Sequence, residues 1–545
     1  MNQKLINKAI AFSRKSNWQK ALAIYDNLLK NDPENIELIN QVSIVYSQIG
    51  QYTKAYEGME KILDKKTQDS EFISNFAVIC LRLNLIEKAE YLINFAIKIQ
   101  PTNVNYLLNL AGVYNIKEDY LKSLNTIKIA LEINPLHAGA YGLFGITLIK
   151  MGENSAARDA LQIAMKIDPA FLEAKFNLAS LEVKEGNVIK AISLYESIIK
   201  DRTNEINAVS LESIKFNLSG LYLSLGNLEL GWEYVEFGFH PQVAPEYRRN
   251  PGRTFNAKRW NGSIEQGKTI LVWREQGVGD EIMYLSCLPD LISTGMNIIV
   301  ETDERLIPLF SRSFESCLIR GQKYELHSHD RRSFIEDYDF QIPVGSLPSI
   351  FRKNINDFYN KKPYLLTSQE LKLEFKNKLN NLSFNKLKIG ICWRSGYLSP
   401  ERNFEYTKLI DWGPIFSINN IDFINLQYSE CERELQEAES LFDIKVIRWL
   451  ELDLKNDFDS TSALMANLDL VVTVGTAVNP LAASLGVPVY LMSGKGWPNL
   501  GTDFYPWFKN VKCFFPKTHG DVSSCIPEVA EAIKLLKLDN NITTL

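Results

Sequence analysis

The chain has 545 residues, which is too long for a single hydrophobic core, so it should divide into roughly two to four domains. It is 46% hydrophobic and 23% charged, which excludes disordered and fibrous classes and fits an ordinary globular protein. Its formal net charge of −5 provides no basic stripe for phosphate backbones and argues against DNA or RNA as partners.

Cysteine usage and the N-terminal residues indicate the compartment. Seven cysteines are scattered and never spaced as Cys-x-x-Cys, so neither a disulfide framework nor a zinc knuckle is predicted. The segment MNQKLINKAIAFSRKSNW lacks the apolar core and cleavage site of a secretory signal. We therefore expect a cytoplasmic protein.

The N-terminal half repeats with a period of 34 residues. Small residues recur on one grid with this spacing, at Ala21, Ala55, Ala89, Ser123, Ala157 and Ala191. Prolines recur on a second such grid, at Pro33, Pro101, Pro135 and Pro169. Small residues suit the close approach of two helices, and prolines suit a point where a helix has ended. This is the tetratricopeptide pattern, and it predicts an all-helical superhelix of about seven repeats over residues 1–238.

A carboxamide recurs at one place in these repeats. The set comprises Asn7, Gln41, Asn75, Asn109, Asn177 and Asn217, and Leu143 interrupts it. A row of carboxamides could pair with the backbone of an extended peptide, because each both donates and accepts. On this interpretation Asn75, Asn109, Asn177 and Asn217 would bind a protein acceptor. Asparagine is also common at this place in ordinary tetratricopeptide repeats, so a purely structural role stays open.

After a linker at residues 239–266, the period is lost and short apolar runs alternate with amphipathic helices. The runs are TILVW, MNIIVET, YDFQIPV, LKIGICW, IDFINLQ, DIKVIRWL, LDLVVTV, VPVYLM and VKCFF. Strands that are apolar on both faces and separated by helices predict parallel sheets covered by helices. We expect two α/β lobes, at residues 267–375 and 386–545, joined by a hinge in LKLEFKNKLNNLSFNK and closed by a helix in CIPEVAEAIKLLKL.

The segment between Asp469 and Lys495 is uncharged and long enough to span a membrane. Two glycines and two prolines divide it, so we expect a buried strand, a short helix and a second buried strand there.

Polar residues follow the strands of the second lobe, and ligands of such sheets bind at the carboxyl ends of the strands. The residues that could hold the phosphates of a nucleotide are Arg394, Ser395, Gly396, Arg402, Asn403, Gln427, Gly475, Thr476 and Ala477. Guanidinium groups, a hydroxyl and backbone N–H groups at a helix start suit a diphosphate. Each has a structural alternative: Arg402 could be a surface charge, and Thr476 could cap its helix.

The first lobe carries EQGVGDEI directly after the run TILVW. A strand, Gly-x-Gly and a helix usually begin a phosphate-binding turn, but Ile282 replaces the third glycine and Asp280 would repel a phosphate. Across a crevice from a phosphate-binding lobe, Asp280 could instead accept a proton from an attacking hydroxyl. Stabilisation of the helix N-terminus by Asp280 is the alternative, and Glu275 is a second candidate base.

Several motifs together carry a resemblance to a known family. They are the repeat array, the FNAKRWNG segment, LVWREQGVGDEIMYLSCLPDL, GICWRSGYLSPERN, FINLQYSE, LDLVVTVGTAVNPLAASLGVPV and YPWFKNVKCF. As a set they resemble the tetratricopeptide-containing bacterial glycosyltransferases. That family is related to the heptosyltransferases and, more distantly, to O-linked N-acetylglucosamine transferase and flagellin glycosyltransferases.

The resemblance implies a two-lobe GT-B glycosyltransferase with twin Rossmann-like lobes. It implies an acceptor against the repeats and against Gln276, Gly277 and Gly279, a nucleotide sugar on the second lobe, and Asp280 as the base. The family's donor-side pattern Asp-Thr-x-x-x-His is kept here only at Thr476. A glycine and a proline, Gly475 and Pro480, replace its aspartate and histidine.

Metal and hydrolase chemistry have little support. Asp457-x-Asp459 matches a metal-binding pattern of other glycosyltransferases, but we interpret it as a helix N-cap because the same spacing recurs at Asp337 and Asp339 in a strand-like run. No essential metal or other cofactor is predicted. The five histidines lie outside the strand-end motifs, which argues against catalytic triads and zinc sites.

The sequence therefore predicts a glycosyltransferase that moves a sugar from a nucleotide sugar to a protein or surface-glycan acceptor chosen by the repeats. The main alternative is a non-catalytic tetratricopeptide scaffold with a degenerate transferase domain. A sugar-nucleotide epimerase also has two facing lobes, but it would leave the repeats without a role.

Overall fold

A computed structural model describes residues 2–15, 17–201, 210–241, 243, 249, 253–322, 331–332, 336–359, 362–382, 386–396 and 403–542. The chain forms two compact units, Met1–Val209 and Ser210–Leu545.

The first unit is a tetratricopeptide-like superhelix of helical hairpins. Its helices are α1 (Asn2–Arg14), α2 (Trp18–Asn31), α3 (Ile36–Gln48), α4 (Tyr52–Ile62), α5 (Ser70–Arg82), α6 (Ile86–Ile99), α7 (Val104–Ile116), α8 (Tyr120–Ile133), α9 (Ala138–Met151), α10 (Asn154–Ile167), α11 (Leu172–Lys184) and α12 (Val188–Asp201). These bounds confirm the predicted repeat register.

Packing explains why the small residues recur. All six small residues of the first grid lie on second helices of the hairpins and are completely buried. The prolines of the second grid follow the ends of such helices, where no further helical hydrogen bond is needed. Side-chain caps start several first helices: Asn35 accepts from the amide of Leu38, and Asp69 accepts from the amide of Phe72.

The seventh hairpin, α13 (Leu211–Ser224) and α14 (Leu228–Val235), belongs to the second compact unit, unlike the first six hairpins; the end of the repeats at residue 238 stays a prediction. Trp232 explains the difference. Its indole donates to the carbonyl of Arg352 at 2.9 Å, and its ring meets Trp507 edge-on at 6.3 Å. Buried aromatic contacts of this kind join the hairpin to the sheets.

The first sheet of the second unit is parallel, in the order β2-β7-β3-β4-β5, and β1 and β6 pair separately. The strands are β1 (Arg253–Thr254), β2 (Lys258–Arg259), β3 (Thr269–Trp273), β4 (Asn297–Thr302), β5 (Leu318–Gly321), β6 (Arg331–Arg332) and β7 (Phe340–Pro343). The accompanying helices are α15 (Val278–Tyr284), α16 (Leu288–Ile292), α17 (Ile307–Ser313) and α18 (Pro348–Phe351).

Part of the predicted linker is therefore not a linker, since β2 is an edge strand of this sheet. Neither β2 nor β5 was predicted. Both are short edge strands with charged residues, so they lack the apolar run that marks a buried strand.

The second sheet is also parallel, in the order β10-β9-β8-β11-β12-β13. Its strands are β8 (Leu387–Cys392), β9 (Ile421–Asn425), β10 (Val446–Ile447), β11 (Leu470–Val474), β12 (Val489–Met492) and β13 (Val511–Phe514). The remaining helices are α19 (Gln369–Asn380), α20 (Gly413–Phe416), α21 (Glu432–Phe442), α22 (Phe458–Met465), α23 (Val478–Ser484) and α24 (Ile526–Ile542).

Two predictions about this half have different outcomes. The uncharged segment forms β11, α23 and β12, which confirms strand, helix and strand. The predicted hinge is instead largely the helix α19, which buries Phe375 and Leu379 and packs against α22. In the part of the chain that the structure describes, no helix is both long and apolar enough to cross a bilayer.

Candidate functional site

A cavity of about 520 Å³ lies between the carboxyl ends of the two sheets. Its walls include the turn from β3 into α15 and the turn from β11 into α23. These turns touch, because a β-carbon on Gly279 would lie 3.0 Å from the Cα atom of Ala477. The glycine thus permits close contact of the two sheets, and no phosphate is needed to explain it.

The first-sheet wall contains Gly277, Gly279 and Asp280, as predicted for this turn. Gly277 is the N-cap residue of α15, and Asp280 lies half-buried in the first helical turn. Burial raises the pKa of both Tyr284 and Tyr505, and the Asp280 charge raises these pKa values further. The Asp280 carboxylate therefore lies among buried phenol rings, in a wall from which water is partly excluded.

The second-sheet wall contains Ser395, Gly475, Thr476 and Ala477, which were all predicted to lie at the site. The Thr476 hydroxyl accepts from the amide of Val478 at 3.3 Å and so helps to begin α23. A β-carbon on Gly475 would meet no atom of the described residues within 4 Å. The space beside Gly475 could therefore hold a larger side chain.

Arg394 is not among the residues that line this cavity, and its role as a phosphate ligand stays a prediction. Its Nε atom donates to Glu434 at 3.0 Å, and its two Nη groups donate to the Ser429 hydroxyl at 2.8 Å and to the Glu430 carbonyl at 2.7 Å. The guanidinium joins the end of β8 to α21, a structural role.

Gln427 is likewise a structural residue. It is buried, and its side chain accepts from the amides of Trp393 and Arg394 and donates to the Arg394 carbonyl at 2.9 Å. Gly396 is exposed outside the cavity wall and donates its amide to the Tyr428 hydroxyl at 3.3 Å.

The two remaining residues that were predicted to bind the donor are not among the residues described in the cavity wall. Asn403 is exposed and does not line the cavity. Arg402 lies outside the described residues.

The predicted second base, Glu275, has a fully buried carboxylate that forms an ion pair with the buried guanidinium of Arg249. The Nε atom of Arg249 donates to it at 2.7 Å, and the amide of Gly345 donates to it at 3.0 Å. Glu275 does not line the cavity, so it stabilises the first sheet and is a poor candidate for a base.

On the acceptor side, Gln276 is half-buried and outside the cavity wall. Asn75 and Asn109 line a polar depression of about 880 Å³ in the repeats. The side-chain amide of Asn109 donates to the Ser74 hydroxyl at 3.2 Å. Asn177 and Asn217 are not among the residues of this depression, so a continuous row of carboxamides stays a prediction.

Two cationic residues of the wall, Arg305 and Lys455, were not predicted. Arg305 pairs with Asp303 at 2.8 Å and donates to the Lys455 carbonyl at 2.9 Å. Arg305 could have been predicted from the sequence, because Asp303 and Arg305 come directly after β4. Polar residues that follow a parallel strand indicate the ligand-binding edge of the sheet.

Glu281 is a buried carboxyl group beside the site. It accepts from the Thr302 hydroxyl and lies 3.3 Å from the Nε atom of Arg274. Burial raises the pKa of Glu281 to about 7, although the Arg274 charge opposes this shift. The group therefore changes charge near neutral pH.

Side-chain bonds hold the two sheets together around the cavity. Arg312 forms a bidentate pair with Asp459, with N–O distances of 2.7 and 2.9 Å. Asp457 accepts from the amide of Ser460 as the N-cap of α22, which confirms the interpretation of this Asp-x-Asp as a cap. Within the described ranges no cluster of histidine, cysteine and carboxylate side chains is arranged to hold a metal; the absence of an essential metal stays a prediction.

The repeats make this chain a tetratricopeptide repeat protein with a C-terminal unit of two parallel α/β sheets. No protein-family model matches it. The chain is 25% identical over 545 residues to Protein FlbA of Caulobacter vibrioides, covering 98% of this chain and 90% of that protein.

Other similarities are confined to part of the chain. The peroxisomal targeting signal receptor of Saccharomyces cerevisiae is 23% identical over 206 residues, covering 34% of this chain and 33% of the receptor. A crystallised tetratricopeptide repeat protein from Parabacteroides merdae covers 45% of this chain and 96% of its own, with 17% identity and a TM-score of 0.37.

Proposed function

We propose that this protein is a glycosyltransferase of the GT-B type that moves a sugar from a nucleotide sugar to a protein or surface-glycan acceptor. The observation that carries the proposal is the half-buried carboxylate of Asp280 in the wall of an inter-sheet cavity, opposite the turn at Gly475 and Thr476. A carboxylate among buried rings is an unsuitable neighbour for a phosphate and a suitable acceptor for a proton.

The proposed reaction moves one proton, forms one bond and breaks one bond. The carboxylate of Asp280 takes the proton from an acceptor hydroxyl while that oxygen forms a bond to the anomeric carbon. The bond from the anomeric carbon to the phosphate oxygen breaks, and the nucleotide leaves with the electron pair. Lys455 is a cationic residue of the described wall that would favour this anion, whereas the charge of Arg305 is already paired with Asp303.

Apolar walls support the same chemistry, since glycosyl transfer must exclude water from the anomeric carbon. Met283, Phe458 and Leu491 are among the buried residues that line the cavity. In this proposal the repeats bind the acceptor, and the polar depression around Asn75 and Asn109 is suited to a peptide backbone because carboxamides both donate and accept.

The experiment that tests this proposal is transfer of label. Purified protein is incubated with nucleotide sugars labelled in the sugar and with a lysate of source cells that lack the gene. The wild type should produce labelled protein or glycan with one donor, and Asp280→Asn should reduce the rate by about 100-fold or more.

The matched control is Asp503→Asn, which changes an aspartate side chain that is 89% exposed. It should transfer at the wild-type rate. Normal transfer by Asp280→Asn would remove Asp280 from the role of base, and no label with any donor would contradict the proposed activity.

A non-catalytic scaffold is the second candidate function. Two observations favour it: part of the chain is similar to a peroxisomal targeting signal receptor, and Gly475 and Pro480 stand where the resembling family has an aspartate and a histidine. In that case the repeats would bind a client, and the cavity would bind a nucleotide without transfer or no nucleotide at all.

A further inference from the structure

Two buried polar atoms in the cavity wall have no hydrogen-bond partner among the described residues. They are the Oδ1 atom of Asn479 and the Oγ1 atom of Thr461, and each residue is only 3% exposed. Both residues line the cavity. Buried polar atoms are usually hydrogen-bonded. Other such atoms occur elsewhere in the described residues, but these two lie together in the wall of one cavity, where a bound molecule would supply the partners.

The surroundings of Tyr505 agree with the orientation of the Asn479 carboxamide in the structure. The hydroxyl of Tyr505 donates to the Sδ atom of Met283 at 3.2 Å, so its oxygen is left to accept. Burial and the Asp280 charge raise the pKa of Tyr505, and a hydrogen bond from Asn479 opposes them, as expected when the amide group of Asn479 donates. The carbonyl oxygen Oδ1 is then the atom without a partner.

These contacts place Asn479 on the Asp280 side of the cavity, where the reacting sugar of the proposed function would lie. Thr461 lies on α22, which packs against α23, the helix of Asn479. The wall around the two atoms is otherwise largely apolar, with Met283 and Met465 as examples. An unpaired carbonyl oxygen near a carboxylate attracts a hydrogen-bond donor and repels a phosphate.

We propose that Asn479 and Thr461 bind hydroxyl or amide hydrogens of the sugar that is transferred, and thereby select the sugar rather than the nucleotide. This inference rests on the proposed function. It assigns a specificity role to two residues that were not predicted to lie at the site, and it predicts that the sugar presents few polar groups to an apolar wall.

The variant Thr461→Val tests this inference, because valine keeps the shape of threonine and removes only the hydroxyl. Thermal unfolding is measured with UDP-N-acetylglucosamine, UDP-glucose, GDP-mannose, TDP-glucose and CMP-N-acetylneuraminate, and with the matching nucleotides alone. The free variant should unfold at or above the wild-type temperature, since the hydroxyl has no partner to lose. Its affinity for the stabilising nucleotide sugar should fall about tenfold, with that for the nucleotide unchanged.

Asn479→Leu is the second variant and should lose the same sugar-dependent stabilisation. Thr147→Val is the control, because the Thr147 hydroxyl in the repeats accepts from Asn115 at 2.9 Å. This control should destabilise the free protein and leave the ligand-induced shift unchanged.

Each remaining outcome overturns the inference in a recognisable way. If a nucleotide sugar stabilises wild type, Thr461→Val and Asn479→Leu equally, the selection role is wrong and the proposed function stands. If Thr461→Val destabilises the free protein, the hydroxyl has a protein partner and the argument fails. If no nucleotide sugar stabilises the wild type, the proposed function fails and this inference fails with it.

Discussion

Gly279 of the first sheet lies so close to Ala477 of the second that a β-carbon on the glycine would be tightly packed against the Ala477 backbone. A β-carbon at Gly279 would lie 3.0 Å from the Cα atom and 3.3 Å from the Cβ atom of Ala477. Because both turns line the cavity, this contact sets the separation of its two walls.

Replacement of Gly279 by alanine should therefore force the two turns apart. We expect Gly279→Ala to lower the free energy of unfolding by about 1–3 kcal/mol, as overpacking does, although alanine is the better helix former. Urea denaturation followed by circular dichroism measures this change.

Gly220→Ala is the matched control, since Gly220 is also helical and a β-carbon there would meet no atom within 4 Å. It should stabilise the protein by roughly 0.5–1 kcal/mol. A stabilising Gly279→Ala would contradict the close contact of the two turns.

The Arg249–Glu275 ion pair provides a second prediction. Both side chains are almost fully buried, so neutralising one leaves the other charge without compensation. Glu275→Gln should cost about 3–5 kcal/mol of unfolding free energy. Glu531→Gln, which removes the charge from an exposed surface pair with Lys534, should change it by less than about 1 kcal/mol. Urea denaturation measures both changes. A similar loss of unfolding free energy in the two variants would show that the buried ion pair stabilises the protein no more than the exposed pair does.

Glu281 predicts an unusual pH dependence. Its pKa is about 7 in the folded protein, above the 4.5 of an ordinary glutamate, because burial disfavours the charged form. Between these two values the folded state holds a proton that the unfolded state has lost, so this group makes stability fall as the pH rises. The full contribution is present below pH 4.5 and is lost through pH 7.

The variant Glu281→Gln isolates this contribution, since glutamine does not titrate. From pH 5 to pH 8 the wild type should lose about 2–3 kcal/mol relative to the variant. Urea denaturation at intervals of one pH unit measures the difference. Parallel stability curves for the two proteins would mean that Glu281 has an ordinary pKa.

Ala89 tests the repeat register. It is completely buried between the helices of a hairpin, so Ala89→Leu should destabilise the first unit by at least about 1–3 kcal/mol. Leu121→Ala changes a side chain in the repeats that is 68% exposed and should have an effect within about 0.5 kcal/mol. Thermal unfolding measures both changes. Equal stability of the two variants would contradict the assignment of Ala89 to the buried face of its helix.

The repeats and the buried strands could be predicted because each rests on a local pattern: small residues every 34 positions, and apolar runs between helices. The short edge strand β5 could not be predicted, because charged residues are tolerated at the edge of a sheet and the strand therefore lacks a continuous apolar run. Arg394 shows why the site was harder. Its position after a strand correctly indicated the carboxyl-terminal edge of a sheet. Only the three-dimensional structure shows that Arg394 forms an ion pair with Glu434, which is distant in the sequence.

Asn479 and Thr461 could not be identified from sequence for a related reason. Whether a buried amide or hydroxyl has a partner depends on side chains from several helices, and no spacing rule encodes it. Asp280, which lines the cavity, was proposed from sequence because a carboxylate in a glycine turn contradicts the usual phosphate-binding pattern, and such local contradictions often mark functional sites.

The most direct test of the central claim, that the inter-sheet cavity binds a nucleotide, is isothermal titration of the protein with UDP, ADP, GDP, TDP and CMP. Gly475→Phe serves as the blocked variant, because Gly475 lines the cavity beside open space. Gly112→Phe is its control in the repeats, where a β-carbon also meets no atom within 4 Å. We predict that one nucleotide binds the wild type and Gly112→Phe alike and does not bind Gly475→Phe; binding of none, or equal binding to all three proteins, would contradict the claim.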